Sequence, residues 1–188
     1  MRVVDVPNLH ARFEKMGRKN GFVHVYTGIG GGKTTSTLGV ALRSVGHRCK
    51  VIMIQFMKGR KEIGEYKAQK RLKPYFEIHQ FGRREFIDLK NPAPIDYELA
   101  RKGLEFAKKA LKKKPCVLIL DEINLAVAVG LLKPNEVLDV LKNIPNKTTV
   151  YLTGRYAPKE FIERADLVTE IIDIKRPKSI PVRKGIEY

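Results

Sequence analysis

The chemistry of this chain is concentrated in TGIGGGKTT, residues 27–35. Glycines without side chains let backbone N–H groups converge on phosphate oxygens, and a helix starting there adds a favourable dipole. Lys33 supplies a cation that can bridge phosphates, and Thr34 a hydroxyl for Mg2+. The spacing departs from the usual phosphate loop, G-x-x-x-x-G-K-[ST]. Thr27 stands five residues before Gly32, and Gly28 comes one position late. A dinucleotide fingerprint, G-x-G-x-x-G, would need glycine where Lys33 stands. The second mark is VLILDE, 117–122, an apolar run ending in two carboxylates. An aspartate there, Asp121, is the usual outer ligand of nucleotide-bound Mg2+. Glu122 has two readings: it orients water in an ATPase, or it is a second metal-shell carboxylate in another reaction.

These marks need elements to hold them. FVHVY (22–26), KVIMIQF (50–56), YFEIHQF (75–81), CVLILDE (116–122), TTVYLTG (148–154) and LVTEIID (167–173) read as strands. Helices are expected over 34–45, 62–72, 96–113 with Asp96 as cap, 134–143 and 158–164. Apolar strands alternating with helices predict an α/β fold, a mostly parallel sheet with helices on both faces. Ligands then bind at the carboxyl ends of the strands. The glycine loop, the Asp121–Glu122 pair and Thr153–Arg155 all follow strands and should meet on one edge of the sheet. The loop over 82–94 is long for a compact domain, and such loops are often functional.

The chain of 188 residues suits one domain, 21–188, preceded by a basic segment, 1–20, with a short helix over 8–16 as a lid candidate. It is 43% hydrophobic and 30% charged, as a soluble globular protein would be. No apolar run approaches the ~18 residues of a membrane span, and the N-terminus has no apolar signal core, so a cytoplasmic protein is expected. Cys49 and Cys116 each adjoin an apolar run and read as buried thiols. The net charge of +17, from 37 basic and 20 acidic residues, could serve nucleic acid. The basic residues are dispersed, however, and no recognition-helix or RRM-type motif accompanies them. A polyanionic small ligand gains from the same field.

The motifs occur in a recognisable order: TGIGGGKTTSTLG (27–39), IQFMKG (54–59), GEYKA (64–68), QFGRREF (80–86), LILDEIN (118–124), GLL (130–132), TGRYAP (153–158), ADLVTE (165–170) and KGIEY (184–188). Together they resemble the ATP:corrinoid adenosyltransferases, the cob(I)yrinic acid a,c-diamide adenosyltransferases of the cobalamin pathway. The loop alone is generic; its combination with QFMKG, TGRYAP and ADLVTE is specific. The resemblance implies a RecA-like P-loop NTPase fold, often a homodimer. It also implies transfer of the 5′-deoxyadenosyl group of ATP to a Co(I) corrinoid, with triphosphate leaving intact. The substrates would be ATP and a reduced corrinoid, the metal Mg2+ or Mn2+, and a flavoprotein reductase the source of electrons.

Carried over by motif, the catalytic residues are Lys33, Thr34 and Glu122, and the metal ligands Thr34, Asp121 and Glu122. Contacts to nucleotide fall on Thr27, Gly28, Gly30, Gly31, Gly32, Lys33, Thr34 and Thr35. Arg155, in TGR, contacts nucleotide or corrinoid. Phe86 is either a core residue or an aromatic that crowds the lower face of the corrinoid, and for Phe81 core packing is favoured. Two departures stand out. Some members carry Lys where Gly31 stands, and the tail has Arg176 where the family usually has histidine. The competing functions are a nucleic-acid-linked P-loop ATPase, suggested by the charge, and a non-catalytic nucleotide-binding regulator, suggested by the tail.

Overall fold

The computed structural model describes residues 21–186, so the expected helix over 8–16 lies outside the described residues. Six strands form one sheet in the order β3-β2-β4-β5-β1-β6, and every pairing is parallel. The strands are β1 (Phe22–Thr27), β2 (Val51–Phe56), β3 (Phe76–Phe81), β4 (Val117–Asp121), β5 (Thr149–Thr153) and β6 (Leu167–Glu170). The helices are α1 (Lys33–Gly46), α2 (Gly64–Ala68), α3 (Pro94–Lys112), α4 (Ile123–Ala128), α5 (Pro134–Leu141) and α6 (Lys159–Arg164). The expected α/β architecture is found, parallel throughout.

The period of two along each strand divides the core. Ile52, Ile54 and Phe56 of β2 join Val23, Val25, Leu118 and Leu120 in the larger cluster, closed by α3, α5 and α6. Val51 and Met53 point the other way, with Ile119 and Phe76, against Ala41 and Leu38 of α1. Each aliphatic side chain removed from water in this way contributes about 1.5–3 kcal/mol. Strands with both faces covered can be apolar on both, and β2 and β4 are buried at every position and apolar at all but Gln55 and Asp121.

Several boundaries differ from the sequence reading. The helix expected over 62–72 is one short turn, α2, followed by a 3-10 turn at Gln69–Arg71. Asp96 is not the residue preceding α3 but the third within it. Its carboxylate accepts the Ala93 N–H at 2.9 Å, so it caps the helix from inside. Helix α4 was not expected. It begins directly after the acidic pair, because Glu122 takes a left-handed turn (φ 62°) out of β4. Strand β6 ends at Glu170 rather than at residue 173, because the chain then leaves the sheet to cross the glycine loop. Cys49 and Cys116 are half-buried rather than buried, and they are hydrogen-bonded to each other. That contact and burial push the Cys49 thiol up to about 11. Among the described residues, no helix is long and apolar enough to cross a membrane.

Candidate active site

Strand β1 delivers the glycine loop, and α1 begins at Lys33. The Lys33 ammonium is buried and folded back on its own loop, donating to the carbonyls of Gly28 at 2.7 Å and Gly30 at 2.6 Å. Burial lowers its pKa and nearby Arg155 lowers it further, against Glu122 and Asp173, which hold it up. Gly28 and Gly30 are required by close approach. A Cβ on Gly28 would lie 2.3 Å from the Ile171 carbonyl oxygen, and one on Gly30 2.7 Å from the Ile172 carbonyl carbon. A Cβ on Gly31 would meet nothing within 4 Å, so a side chain there would have room. The Thr27 hydroxyl accepts the Ala157 N–H at 3.2 Å, tying the loop to the segment after β5. Thr35 is exposed on the first turn of α1.

The acidic pair sits where the sheet order requires. Strand β5 lies between β1 and β4, and its last residue bridges them. Asp121 is fully buried. Its Oδ1 accepts from the Thr34 hydroxyl at 2.9 Å and the Thr153 hydroxyl at 2.7 Å. Its Oδ2 accepts from the Lys58 ammonium at 2.7 Å and, more weakly, from Gln55 Nε2 at 3.4 Å. Burial alone would raise the Asp121 pKa. The attraction and hydrogen bond of Lys58, with the two threonine hydroxyls, outweigh it and hold the carboxylate below its ordinary range. Burial likewise works against the Lys58 charge, and Asp121 more than restores it.

Glu122 is the opposite case. Its N–H donates to Thr153 Oγ1 at 3.1 Å, but its own Oε2 is buried with no hydrogen-bond partner. Burial and the neighbouring Asp121 raise its pKa, against Lys58, Lys33 and Arg155. A buried carboxylate oxygen is ordinarily satisfied by a donor or a cation. Asn124 fixes the surroundings: its side-chain amide donates to the Tyr26 carbonyl at 3.0 Å and the Gly154 carbonyl at 3.1 Å. The glycine loop, Asp121–Glu122 and Thr153 therefore meet at one edge of the sheet, as expected. Arg155 is exposed beside them and lines a cavity of about 360 Å3 with Ile29, Tyr156, Asp173 and Arg176.

Phe86 is not core. It is 84% exposed on the loop between β3 and α3, with the Arg60 guanidinium 4.2 Å from its ring centre. That loop is anchored at its start, where Arg83 grips both oxygens of Asp96 at 2.8 and 3.0 Å. Phe81 packs against the larger core cluster, as favoured. Sequence reasoning placed Thr153 at this edge without giving it a role, and did not single out Lys58, Asn124 or Asp173. Lys58 lies in QFMKG, a motif that helped the resemblance but carried no role. Its pairing with residue 121, far off in sequence, becomes visible only when β2 and β4 are placed side by side.

Comparison with known proteins shows the family of the chain. The model of the family ATP:corrinoid adenosyltransferase BtuR/CobO/CobP matches residues 19–188. A corrinoid adenosyltransferase of Escherichia coli K12 is 33% identical, over 95% of this chain and 91% of its own length. One of Sinorhizobium is 33% identical, over 90% and 81%. A Nostoc protein described only as uncharacterized is 34% identical over 90% of this chain, which spans about half (49%) of that relative's length. Among solved structures, the hydrogenase maturation factor HypB of Archaeoglobus fulgidus aligns at 16% identity over 79% of this chain and 91% of its own. Its TM-score is 0.22, too slight a likeness to build on. With a family match over nearly the whole chain and relatives a third identical over most of it, the protein belongs to the ATP:corrinoid adenosyltransferase family.

Proposed function

We propose that the protein transfers the 5′-deoxyadenosyl group of ATP to the Co(I) centre of a corrinoid and releases triphosphate. The substrate class is cob(I)yrinic acid a,c-diamide, cob(I)alamin or cobinamide, in adenosylcobalamin synthesis or salvage. The observation that carries this reading is the junction of Lys33, Thr34 and the Asp121–Glu122 pair at the end of the sheet, within a chain of this family. In the reaction a Co–C5′ bond forms and the C5′–O5′ bond breaks. Its electrons pass to the oxygen bridging to the α-phosphate, so no water has to be activated. What the chain supplies is positioning and charge stabilisation of the departing triphosphate. Lys33 and the N–H groups of Gly31, Gly32 and Thr34 are the donors for that charge, with Thr27, Gly28, Gly30 and Thr35 shaping the loop or standing at its rim. Arg155 adds a second cation at the mouth.

The donor set fits a divalent ion. Among the described residues no group of three or more His, Cys, Asp or Glu could hold a metal alone. Mg2+ does not ask for one: one or two carboxylates with substrate phosphates suffice. Asp121 is already occupied by its own chain's donors, whereas Glu122 Oε2 has none. Glu122 and the Thr34 hydroxyl are thus the direct ligands in this reading, and Asp121 holds Thr34 in place. The ion, Mg2+ or Mn2+, would supply Lewis-acid stabilisation of the phosphate charge. The exposure of Phe86, an aromatic with no core role, supports a corrinoid contact for the loop that carries it. A flavoprotein reductase as electron donor and a homodimer belong to the same proposal.

The test is anaerobic. Protein, MgATP and chemically reduced cob(I)alamin are mixed, and the Co(I) spectrum and phosphate product are followed. The expected result is decay of Co(I) into a light-sensitive alkylcobalt species with stoichiometric triphosphate. Phosphate and ADP release stimulated by DNA would instead identify a nucleic-acid-linked ATPase. ATP binding with Co(I) unchanged would identify a regulator.

A further inference from the structure

The segment after β6 does more than end the sheet. Ile171 N–H donates to the Thr27 carbonyl at 2.9 Å, and its carbonyl accepts the Gly30 N–H at 2.9 Å. Two residues on, Asp173 Oδ1 accepts the Gly31 N–H at 3.0 Å, and Oδ2 accepts from Arg176 at 2.6 Å. The two contacts differ in kind. The Gly30 contact is backbone to backbone, and the missing side chains of Gly28 and Gly30 are what let Ile171 and Ile172 lie so close. The Gly31 contact places an anion on an N–H group of the phosphate loop. That is where a phosphate oxygen belongs, because loop N–H groups of this kind concentrate positive potential.

We propose that Asp173 is a built-in stand-in for phosphate. Its carboxylate holds the Gly31 N–H until the phosphate chain of the nucleotide takes that donor over, and Asp173 and Arg176 are then released. This rests on reading the glycine loop as the nucleotide site, and not on the corrinoid reaction. The backbone link at Ile171 needs no change, so the movement is confined to the chain beyond Ile172. Release has a second effect. Asp173 leaves the cavity that Arg155 lines, so the incoming triphosphate meets Arg155 with one acid fewer beside it. The exchange swaps one exposed ionic hydrogen bond for another, so its cost to nucleotide binding is small and screened by salt. Its use would be as a signal: the tail reports whether the phosphate loop is filled.

The experiment uses the full chain and two readouts. Calorimetric titration with MgATP is expected to give Asp173→Asn a Kd about threefold lower than wild type at low salt. Asp173→Glu, which keeps the carboxylate, should behave as wild type. Tryptic cleavage after Lys175 and Lys178 is expected to speed up when wild type is saturated with MgATP, and to be fast in Asp173→Asn without it. An Asp173→Asn Kd equal to or higher than wild type would overturn the proposal. So would tail cleavage that nucleotide leaves unchanged. If the wild type binds no MgATP, the nucleotide-site reading itself fails. Binding without any effect of Asp173→Asn removes only the displacement.

Discussion

The acidic end of β4 and the loop that follows β3 are built in opposite ways. Asp121 is fully buried and accepts hydrogen bonds from Thr34, Thr153, Lys58 and Gln55, which arrive from α1, β5, the loop after β2 and β2 itself. Phe86 is 84% exposed and touches a single cation, Arg60. One half of the molecule is ordered before any ligand arrives; the other presents apolar surface that only a ligand would cover. Under the proposed function, the difference matches the two substrates it names. A triphosphate carries concentrated charge and is best met by donors already in place, since reorganisation at the moment of reaction is costly. A large apolar ring gains from area, which an exposed aromatic supplies without a preformed cradle.

The contrast breaks first at Lys33. Lys33→Ala is expected to lower the rate of cob(I)alamin adenosylation by about 10²–10³-fold, the cost of one charge-stabilising donor. Undiminished turnover, followed by Co(I) absorbance, would remove that lysine from the mechanism. Next, Asp121→Asn should destabilise the protein by about 2–3 kcal/mol, because it strips Lys58 of its partner. The figure is set below that of a fully enclosed pair, since Lys58 keeps some contact with solvent. Chemical denaturation measures it, and a neutral result would mean the acidic end is not preorganised by that pair. Phe86→Ala should do the reverse. Corrinoid affinity should fall about tenfold, the scale of one buried aromatic contact, while melting temperature and ATP affinity stay at wild-type values. A fall in melting temperature would show Phe86 to be structural after all.

The smallest effect is at the anchor of the open loop. Hydrogen bonds from Arg83 hold the Asp96 carboxyl below its ordinary range; its burial opposes them, and the Ala93 N–H assists. A carboxylate with a depressed folded pKa adds stability above its unfolded pKa of about 3.8, and loses it as pH falls through the folded value. Wild type should therefore lose this part of its stability below pH ~4, in melts taken across the acid range. Asp96→Asn should show a shallower acid slope and be about 1 kcal/mol less stable at neutral pH. Parallel acid slopes for the two proteins would mean that the loop is anchored in some other way.

The sheet and the polar junction were legible in unequal measure. The strands could be read because parallel strands covered on both faces run to apolar residues without alternation, and β2 and β4 carry that signal strongly, broken only by Gln55 and Asp121. The loop motif and the carboxylates at the end of β4 announced themselves by composition. What could not be read was pairing across the sheet. Nothing near Lys58 in sequence says that its partner is Asp121, because strand order rather than chain order makes them neighbours. Helix α4 was missed because a left-handed residue, Glu122, lets a helix start without any capping side chain. The end of β6 was missed because Ile171 and Ile172 look like strand, and their departure is decided by glycines lying far away in β1's loop.

The strand order also acts as a ruler. Strand β5 separates the glycine loop on β1 from the carboxylates on β4, so the two halves of the junction sit two strand spacings apart, about 10 Å. That width is set by backbone hydrogen bonding and not by side chains. A third side chain, Thr153, closes it from the middle. Substitutions can therefore change which groups face the gap, but not the gap itself. Divergence within such a scaffold falls on the loops at the strand ends, and the calibre of the polar junction is inherited with the fold.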